Sequence, residues 1–388
     1  MKILIVLTYY RPHISGLTIY AERIATEFAR QGHQVTVLTS QYEKDLPREE
    51  SVEGVRVIRV PVLTRLSKGV IMPAFGRMAS KLVRESDVIQ LHLPQFDAAG
   101  VALRGRLLKK PTVITYHCDV ELPPGFFNRV ANAAVLFMNE LAAKFTHRIV
   151  TYTEDYAHHS KYTSRYLSKV KIIPPPVVLP KVSPEEVQAF RVQHNPHNQH
   201  PVIGMAARFA TEKGVEVLLR AMPEVIKQYP QALFQFVGPY QSIIGEEQYF
   251  QRLESEIRSF EQSEHWKFLG SMSPQEMSAF YANLDLLVVP SLNSTEAFGL
   301  VQIEAMMNNV RSITSNLPGV RQPVKIHRMG AIFPIGDSDE MGKMIIEALR
   351  DSDWQKSANK DFSVYSPALV ANEYETLFAQ IASEITNK

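Results

Sequence analysis

The sequence has a single cysteine, no long apolar run and almost no net charge. Cys118 cannot form a disulfide within the chain, and such low cysteine usage is typical of a reducing compartment. A membrane-spanning helix requires about 18–20 apolar residues in a row, and no apolar stretch of the sequence is that long. Because 42 Lys and Arg nearly balance 40 Asp and Glu, the composition does not favour a nucleic-acid partner. We therefore expect a cytoplasmic protein that is soluble, or peripheral on the inner face of the plasma membrane.

Positive and negative residues are unevenly divided along the chain. Residues 1–180 contain 24 Lys and Arg against 15 Asp and Glu, whereas residues 181–388 contain 18 against 25. A length of 388 residues also exceeds what one hydrophobic core usually supports. Two domains with different partners are therefore predicted.

Short apolar runs alternate with helical patterns in both halves, which indicates an α/β fold. The runs are continuously apolar, as in the strands of a parallel sheet that helices cover on both faces. Three consecutive prolines at 174–176 disfavour helix and interior strand, so we predict domains at 1–178 and 179–365, with a helical tail at 366–388 that can pack on the first. The predicted strands cover residues 3–7, 35–39, 55–60, 87–91, 112–116, 149–153, 202–206, 233–237, 266–269, 286–289 and 311–314.

The strongest chemical signal is a pair of glutamates, Glu296 and Glu304, that follows a predicted strand. A strand, a loop containing a glycine and then a helix is the arrangement that directs free backbone N–H groups at an anion. Gly299 in this loop allows a phosphate to approach the backbone closely. The two carboxylates are too far apart to grip one small group, but they could bracket an extended ligand and accept from its hydroxyls. A surface acid pair that flanks a structural helix is the alternative.

Two cations follow the predicted strand at 202–206. Arg208 and Lys213 leave the carboxyl end of a parallel strand, where ligands bind in sheets of this kind. Fixed cations in this position can neutralise a diphosphate leaving group. Taken alone, the pair is better explained as a solvated loop that starts the next helix.

Weaker signals lie in the first half of the chain. His117 and Asp119 follow the predicted strand at 112–116 and could reach into an interdomain cleft, although an isolated pair of this kind favours a structural hydrogen-bonding role. Ser15 and Gly16 open the first helix and form a second potential anion-facing turn. This turn lacks the repeated glycines of a dinucleotide fingerprint.

Together these residues resemble the family-4 retaining glycosyltransferases, in which two Rossmann-like domains face a cleft in the GT-B architecture. The most specific part of the resemblance is the Glu-x7-Glu motif of Glu296 and Glu304, combined with Arg208 and Lys213. Matching residues extend over nearly the whole chain and include Gly16, Gly32, His33, Gln34, Val35, His117, Phe298, Gly299, Leu300 and Val301.

The resemblance implies a role for each matching residue. Arg208 and Lys213 are expected to bind the diphosphate of the donor, and the backbone amides around Gly299 to cap it. Glu304 is expected to hold the ribose hydroxyls, and Glu296 to contact the donor sugar. The implied catalytic residues are His117, Arg208, Lys213 and Glu296, and the implied substrate-binding residues are Gly16, Phe298, Gly299, Leu300, Val301 and Glu304.

Two further roles fall in the first domain. By resemblance, His117 is expected beside the anomeric carbon of the transferred sugar, and Gly16 is expected to let its loop close over the phosphates. The implied reaction moves a hexose, with glucose as the first choice, from a UDP-sugar to a saccharide or lipid-linked saccharide, as in polysaccharide or glycolipid biosynthesis. A nucleotide-sugar epimerase of the same architecture, similar to UDP-GlcNAc 2-epimerase, is the alternative.

The resemblance also implies that no metal or other cofactor is needed. Two Asp-x-Asp sequences begin at Asp337 and Asp351, and such a motif holds a divalent cation in metal-dependent glycosyltransferases. Because Asp337 precedes a helical pattern, we interpret it as a helix cap.

The basic first half is expected to choose the acceptor and to contact anionic membranes. Its cations are interleaved with apolar residues, and the alternative is that amphipathic helices simply pack on their own sheet. The prediction rests on Arg59, Arg65, Lys68, Arg77, Lys81, Arg84, Arg104, Arg106, Lys109 and Lys110, on Ile71, Met72, Phe75, Met78 and Leu82, and on the apolar segments at 122–127 and 133–138.

Overall fold

The structure, a computed structural model, describes residues 1–66, 69–120, 126–241, 243 and 245–387. The strands are β1 (Lys2–Val6), β2 (Gln34–Gln41), β3 (Glu49–Val52), β4 (Val55–Pro61), β5 (Thr64–Leu66), β6 (Gly69–Ile71), β7 (Val88–Leu93), β8 (Thr112–Tyr116), β9 (Arg148–Thr151), β10 (Val170–Ile172), β11 (Val202–Ala206), β12 (Leu233–Val237), β13 (Trp266–Gly270), β14 (Leu286–Val289), β15 (Arg311–Ser315) and β16 (Gly330–Phe333). The helices are α1 (Gly16–Arg30), α2 (Phe75–Glu85), α3 (Ala98–Leu107), α4 (Phe126–Phe145), α5 (Glu154–His159), α6 (Pro184–His194), α7 (Val215–Gln228), α8 (Glu247–Gln262), α9 (Pro274–Ala282), α10 (Leu300–Met307), α11 (Gln322–His327), α12 (Ser338–Arg350) and α13 (Pro367–Thr386).

The chain folds into two α/β units, and the predicted fold class is confirmed. Unit 1 comprises Met1–Pro176 and Ser363–Lys388, and unit 2 comprises Val177–Phe362. The polar residues 195–201, which follow α6 and include two more prolines, lie inside unit 2. No helix among the described residues is long and apolar enough to cross a membrane.

Unit 1 is built on an eight-stranded sheet with the order β10-β9-β8-β7-β1-β2-β4-β3. All neighbouring strands are parallel except the edge strand β3, which runs antiparallel to β4. The central strands are buried on both faces, and the apolar side chains of β1 have at most 1% of their surface exposed. This burial explains why these strands have continuous apolar sequences rather than alternating ones.

The last helix, α13, packs within unit 1. The hydroxyl of Tyr374 lies 2.7 Å from the hydroxyl of Tyr20 in α1 and 2.7 Å from Oγ1 of Thr115 in β8. A hydrogen bond between His33 and Glu375 and an ion pair between Arg148 and Glu384 add polar contacts along the same helix. A helix distant in sequence therefore completes the covering of the first sheet.

Unit 2 contains a six-stranded, fully parallel sheet with the order β13-β12-β11-β14-β15-β16. Strands β11 and β14 are neighbours at the centre of the sheet. From β11 the chain continues to β12, which lies on the side of β11 away from β14, and from β14 it continues to β15, which lies on the side of β14 away from β11. The loops after β11 and β14 therefore diverge at the carboxyl edge of the sheet. Such a switch point is where open α/β sheets bind their ligands.

Candidate active site

The two loops at the switch point of unit 2 contain most of the predicted donor-site residues. The loop after β11 contains Arg208 and Lys213, and the loop after β14 contains Glu296. The backbone N–H of Leu292 donates to the carbonyl oxygen of Glu212 at 2.9 Å, which joins the loops directly.

A glycine fixes how closely these loops approach each other. Gly214 has φ +70°, and a Cβ atom on it would lie 2.1 Å from the carbonyl oxygen of Pro290. Real Cβ atoms do not approach a backbone oxygen this closely, so the packing of the two loops requires glycine here. The positions of Lys213 and Glu296 relative to each other depend on this packing.

Two donors, one from each loop, meet at the carboxylate of Glu296. Lys213 Nζ lies 2.5 Å from Glu296 Oε2, and the backbone N–H of Gly299 donates to Glu296 Oε1 at 3.1 Å. We call the position between Lys213 Nζ and the Gly299 N–H the anion position. An ammonium group and a backbone N–H at the start of a helix are both donors that favour negative charge.

The ammonium of Lys213 keeps its proton at neutral pH. Burial lowers the pKa of Lys213, but the carboxylate of Glu296 raises it by its charge and by its hydrogen bond, and the net pKa lies above the ordinary value. Because the pKa is raised in the folded state, the charged ammonium stabilises the folded protein at every pH below the ordinary lysine pKa. This contribution is lost only in strongly alkaline solution. The positive charge at the anion position is therefore present throughout the neutral range.

Gly299 ends the loop and caps α10. Its φ of +77° lies in the left-handed region, and a Cβ there would lie 2.6 Å from Nε2 of Gln302. The amides of Leu300 and Val301 occupy the first turn, where N–H groups have no partner within the helix. Phe298 is buried just before the cap. Backbone donors thus line the start of α10, as the sequence predicts.

The second glutamate of the motif is held separately from the first. Glu304 lies inside α10, whereas Glu296 lies in the preceding loop, so the span between them is only partly helical. Tyr281 of α9 donates its hydroxyl to Glu304 Oε2 at 2.9 Å, and both side chains are buried. Sequence reasoning did not identify Tyr281, which orients this carboxylate.

Arg208 is paired within its own loop. Its guanidinium bonds the carboxylate of Glu212, and its side chain is 36% exposed. The structure therefore brings Lys213 and Glu296 into direct contact. Arg208 lies in the same loop as Lys213 but pairs with Glu212 instead.

In unit 1, His117 lies in a buried network of aromatic side chains. Its Nε2 lies 2.8 Å from Nδ1 of His92, and its Nδ1 pairs with the hydroxyl of Tyr152. Burial is the main cause that lowers the pKa of His117 well below its ordinary value, and the neighbouring His92 lowers it further. Burial lowers the pKa of His92 to about 3, so both rings are neutral near pH 7. Neither His92 nor Tyr152 was identified from the sequence, although His92 lies near the end of the neighbouring strand.

Asp119 has a different set of partners from His117. Its carboxylate accepts hydrogen bonds from the hydroxyls of Tyr116 and Ser160, at 2.9 and 2.6 Å, and from the backbone N–H of Lys161 at 3.1 Å. These contacts tie β8 to the segment after α5. The structural role favoured for an isolated pair fits Asp119.

Gly16 is the first residue of α1, directly after the N-cap Ser15. The side chain of Ser15 is bonded to Thr18 in a capping box, which directs it back onto the helix. A Cβ on Gly16 would meet nothing within 4 Å. Local packing therefore does not explain the glycine, and its predicted role toward the phosphates stays a prediction.

The Asp-x-Asp sequences have structural roles. Asp337 is the N-cap of α12 and accepts from the backbone N–H of Glu340 at 2.9 Å, which confirms the cap predicted for it. Asp351 accepts from the N–H of Asp353 at 3.0 Å. Within the described ranges, no cluster of three or more His, Cys, Asp or Glu side chains could hold a metal ion.

The predicted cationic surface of unit 1 needs correction in several places. Arg59 is buried and paired with Glu50, so it cannot face a membrane. Met72, which precedes α2, is also buried, and so are Phe75 and Leu82, because the apolar face of α2 packs inward. Lys68 and residues 122–125 lie outside the described residues.

Comparisons with known proteins match both units. Residues 14–179 match the model described as "Glycosyltransferase Family 4", and residues 186–363 match the one described as "Glycosyl transferases group 1". The alpha-monoglucosyldiacylglycerol synthase of Streptococcus pneumoniae is 22% identical over 352 residues, which cover 88% of this chain and 76% of the relative. The phosphatidyl-myo-inositol mannosyltransferase of Mycolicibacterium smegmatis is 22% identical over 389 residues, covering 97% and 94%.

Solved structures share the fold over the full length. The crystal structure of Anabaena HepE in complex with UDP superimposes with a TM-score of 0.73 at 20% identity and covers 100% of both chains. The fold of the two units is thus that of the GT-B glycosyltransferases. Since the two family models together span nearly the whole sequence, the chain belongs to the family-4 glycosyltransferases.

Proposed function

We propose that the protein is a retaining glycosyltransferase that moves a hexose, preferably glucose, from a UDP-sugar to a saccharide or lipid-linked saccharide. The anion position in unit 2 is the observation that carries this proposal. At a sheet switch point, Lys213 Nζ and the Gly299 N–H converge on one carboxylate, that of Glu296. The negative oxygens of a diphosphate could accept from these two donors as the oxygens of the carboxylate do.

This geometry suggests how the donor binds. The donor diphosphate displaces the carboxylate of Glu296 from Lys213 and from the start of α10, and the released carboxylate contacts the donor sugar. Cations and N–H groups fixed in this way stabilise the charge that develops on the departing diphosphate. Arg208, one-third exposed in the same loop, adds a second cation.

Retention is proposed to proceed on the front face of the sugar. The bond from the anomeric carbon to the diphosphate oxygen breaks, the acceptor oxygen bonds to the same face, and the departing phosphate takes the acceptor's proton. A double displacement would need a positioned carboxylate or other nucleophile at the anomeric carbon. The sequence offers no evident candidate, and Glu296 and Glu304 are assigned to sugar and ribose binding.

The donor and acceptor classes are supported by similar proteins. Anabaena HepE has been solved with UDP-glucose, and the two curated relatives bear the names of a glucosyldiacylglycerol synthase and a phosphatidylinositol mannosyltransferase. We therefore propose a UDP-hexose donor and a glycolipid or lipid-linked acceptor.

Incubation with UDP-glucose tests this function. We expect the donor alone to be stable or slowly hydrolysed, and product with retained configuration, seen by NMR, to form once a glycolipid acceptor is added. EDTA should leave the rate unchanged, because no metal is assigned to the reaction. A new sugar nucleotide formed from the donor alone would identify an epimerase, and activity restored only by Mn²⁺ would contradict metal independence.

A peripheral contact with anionic membrane is proposed for the neighbouring helices α2 and α3. Arg77, Lys81 and Arg84 of α2 are exposed, and so is Leu107 at the end of α3, with 72% of its surface accessible. Cations near the surface of an anionic bilayer contribute about 1 kcal/mol each. Exposed apolar side chains beside them add burial among the headgroups.

Vesicle sedimentation measures this contact. At low salt we expect binding to phosphatidylglycerol vesicles, and the variant Lys81→Ala/Arg84→Ala should bind about 10- to 30-fold more weakly, from about 1 kcal/mol per cation. Lys356→Ala, an exposed cation in unit 2, is the matched control and should bind normally. Absence of binding to anionic vesicles at low salt would remove the membrane contact from the proposal.

A further inference from the structure

Unit 1 has its own switch point, and a loop there has polar groups without a hydrogen-bond partner among the described residues. Strands β1 and β7 are neighbours, but the strand that follows each of them along the chain lies on its outer side: β2 beside β1 and β8 beside β7. The loop after β7 therefore leaves the sheet at an edge where ligands bind in α/β folds. It leads to α3 through Gln95, Phe96 and Asp97.

Gln95 is buried with an unsatisfied side-chain amide. Its exposed fraction is 2%, and neither Nε2 nor Oε1 has a hydrogen-bond partner among the described residues. A buried amide without partners is costly, and native proteins keep few of them. A residue that contributed only to packing would be replaced at lower cost by an apolar side chain of the same size.

The two residues after Gln95 are both partly exposed, Phe96 more than Asp97. Asp97 is the N-cap of α3, but its side chain makes no capping hydrogen bond. Burial raises the pKa of Asp97 to about 6. Phe96 is a large apolar side chain with half of its surface exposed.

We propose that the loop of Gln95, Phe96 and Asp97 is the subsite that binds the hydroxyl groups of a neutral sugar on the acceptor. This inference rests on the proposed function. A sugar hydroxyl both donates and accepts, which matches the two atoms of the Gln95 amide and the carboxylate of Asp97. Phe96 supplies an apolar face on which a sugar ring can lie.

The charge of the loop decides between two kinds of acceptor chemistry. A lipid phosphate would meet the carboxylate of Asp97, and like charges in a half-buried place repel each other. A neutral polyol meets no such repulsion. The subsite therefore selects the sugar of a glycolipid rather than an anionic headgroup.

Calorimetric titration with monomeric octyl β-glucoside, a neutral sugar on a short chain, tests the subsite directly. We expect Gln95→Leu to weaken binding at least tenfold and Asp97→Asn to weaken it severalfold. Gln95→Leu should also raise the melting temperature or leave it unchanged, because the variant removes two unsatisfied buried atoms. A merely structural role for Gln95 would lower the melting temperature and leave the sugar affinity unaltered.

Gln235→Leu is the matched control. Gln235 is also 2% exposed, but its amide donates to the carbonyl oxygen of His194 at 3.3 Å. This variant should be destabilised and bind octyl β-glucoside normally. Failure of the wild-type protein to bind octyl β-glucoside, or equal affinity in Gln95→Leu, would overturn the subsite.

Donor turnover separates this inference from the proposed function. Slow hydrolysis of UDP-glucose by the wild-type protein without acceptor reports on the proposed function alone. If octyl β-glucoside binds through Gln95 but no sugar nucleotide is turned over, the proposed transfer is wrong and the subsite stands. If UDP-glucose is used normally and octyl β-glucoside binds equally to both proteins, the subsite is wrong and the transfer stands.

Discussion

Lys213→Ala is expected to lower kcat for sugar transfer by about 10²- to 10³-fold, the effect of removing one fixed donor to developing negative charge. The variant loses the ammonium that lies 2.5 Å from Glu296 in the structure. Since this charge is proposed to act on the departing diphosphate, the loss should appear in kcat as well as in UDP affinity. Arg208→Ala should show a loss of the same kind. Steady-state kinetics with UDP-glucose measures both.

Two further variants exclude a purely structural explanation. Lys227→Ala removes an exposed lysine of the next helix, α7, with 79% of its side chain accessible, and should be fully active. Lys213→Met/Glu296→Gln removes both charges of the ion pair, so no unpaired carboxylate remains. We expect this double variant to regain much of any stability lost in Lys213→Ala but to stay inactive. Unchanged kcat in both Lys213→Ala and Arg208→Ala would contradict the assigned role.

Gly214→Ala is expected to destabilise unit 2 by about 3 kcal/mol or more, at the upper end of ordinary single substitutions. Two costs combine at this position. The left-handed φ of +70° costs a residue with a Cβ about 1–2 kcal/mol, and the new methyl group would overlap the carbonyl oxygen of Pro290. The overlap can be relieved only by separating the two switch-point loops, so UDP affinity should fall with stability.

Gly270→Ala separates these two costs. Gly270 has φ +74°, and a Cβ atom on it would meet nothing within 4 Å, so its substitution introduces the backbone strain alone. We expect a loss of about 1–2 kcal/mol and unchanged UDP binding. Scanning calorimetry of both variants, with and without UDP, provides the comparison. Equal destabilisation by the two substitutions would show that the contact with Pro290 does not hold the loops.

The buried strands were predictable because their sequences are continuously apolar. The predictions for β8, β11, β12 and β14 coincide with the structure, and the remaining predicted strands agree within two residues at either end. The strands that were missed are short and weakly buried. β3 has the polar sequence Glu-Glu-Ser-Val at the edge of its sheet, and β16 is four residues long and begins with a glycine. Such segments become strands because a neighbour pairs with them, which no local pattern records.

The arrangement of the candidate site was predictable where the chain itself brings its residues together. The loop and helix around Gly299 follow directly after a strand, and their local order is sufficient to predict backbone donors at the start of α10. The contact between Lys213 and Glu296 spans 83 positions and depends on the order of β11 and β14 in the sheet. The burial of His117 against His92 similarly depends on the pairing of β7 with β8.

Titration of UDP into the purified protein tests the central claim most directly, because the anion position is assigned to the diphosphate of the donor. We predict one UDP per chain, at least tenfold weaker binding to Lys213→Ala, and wild-type affinity for Lys227→Ala. Equal UDP affinity in the wild type and in Lys213→Ala would show that the diphosphate binds elsewhere and would contradict the proposed site.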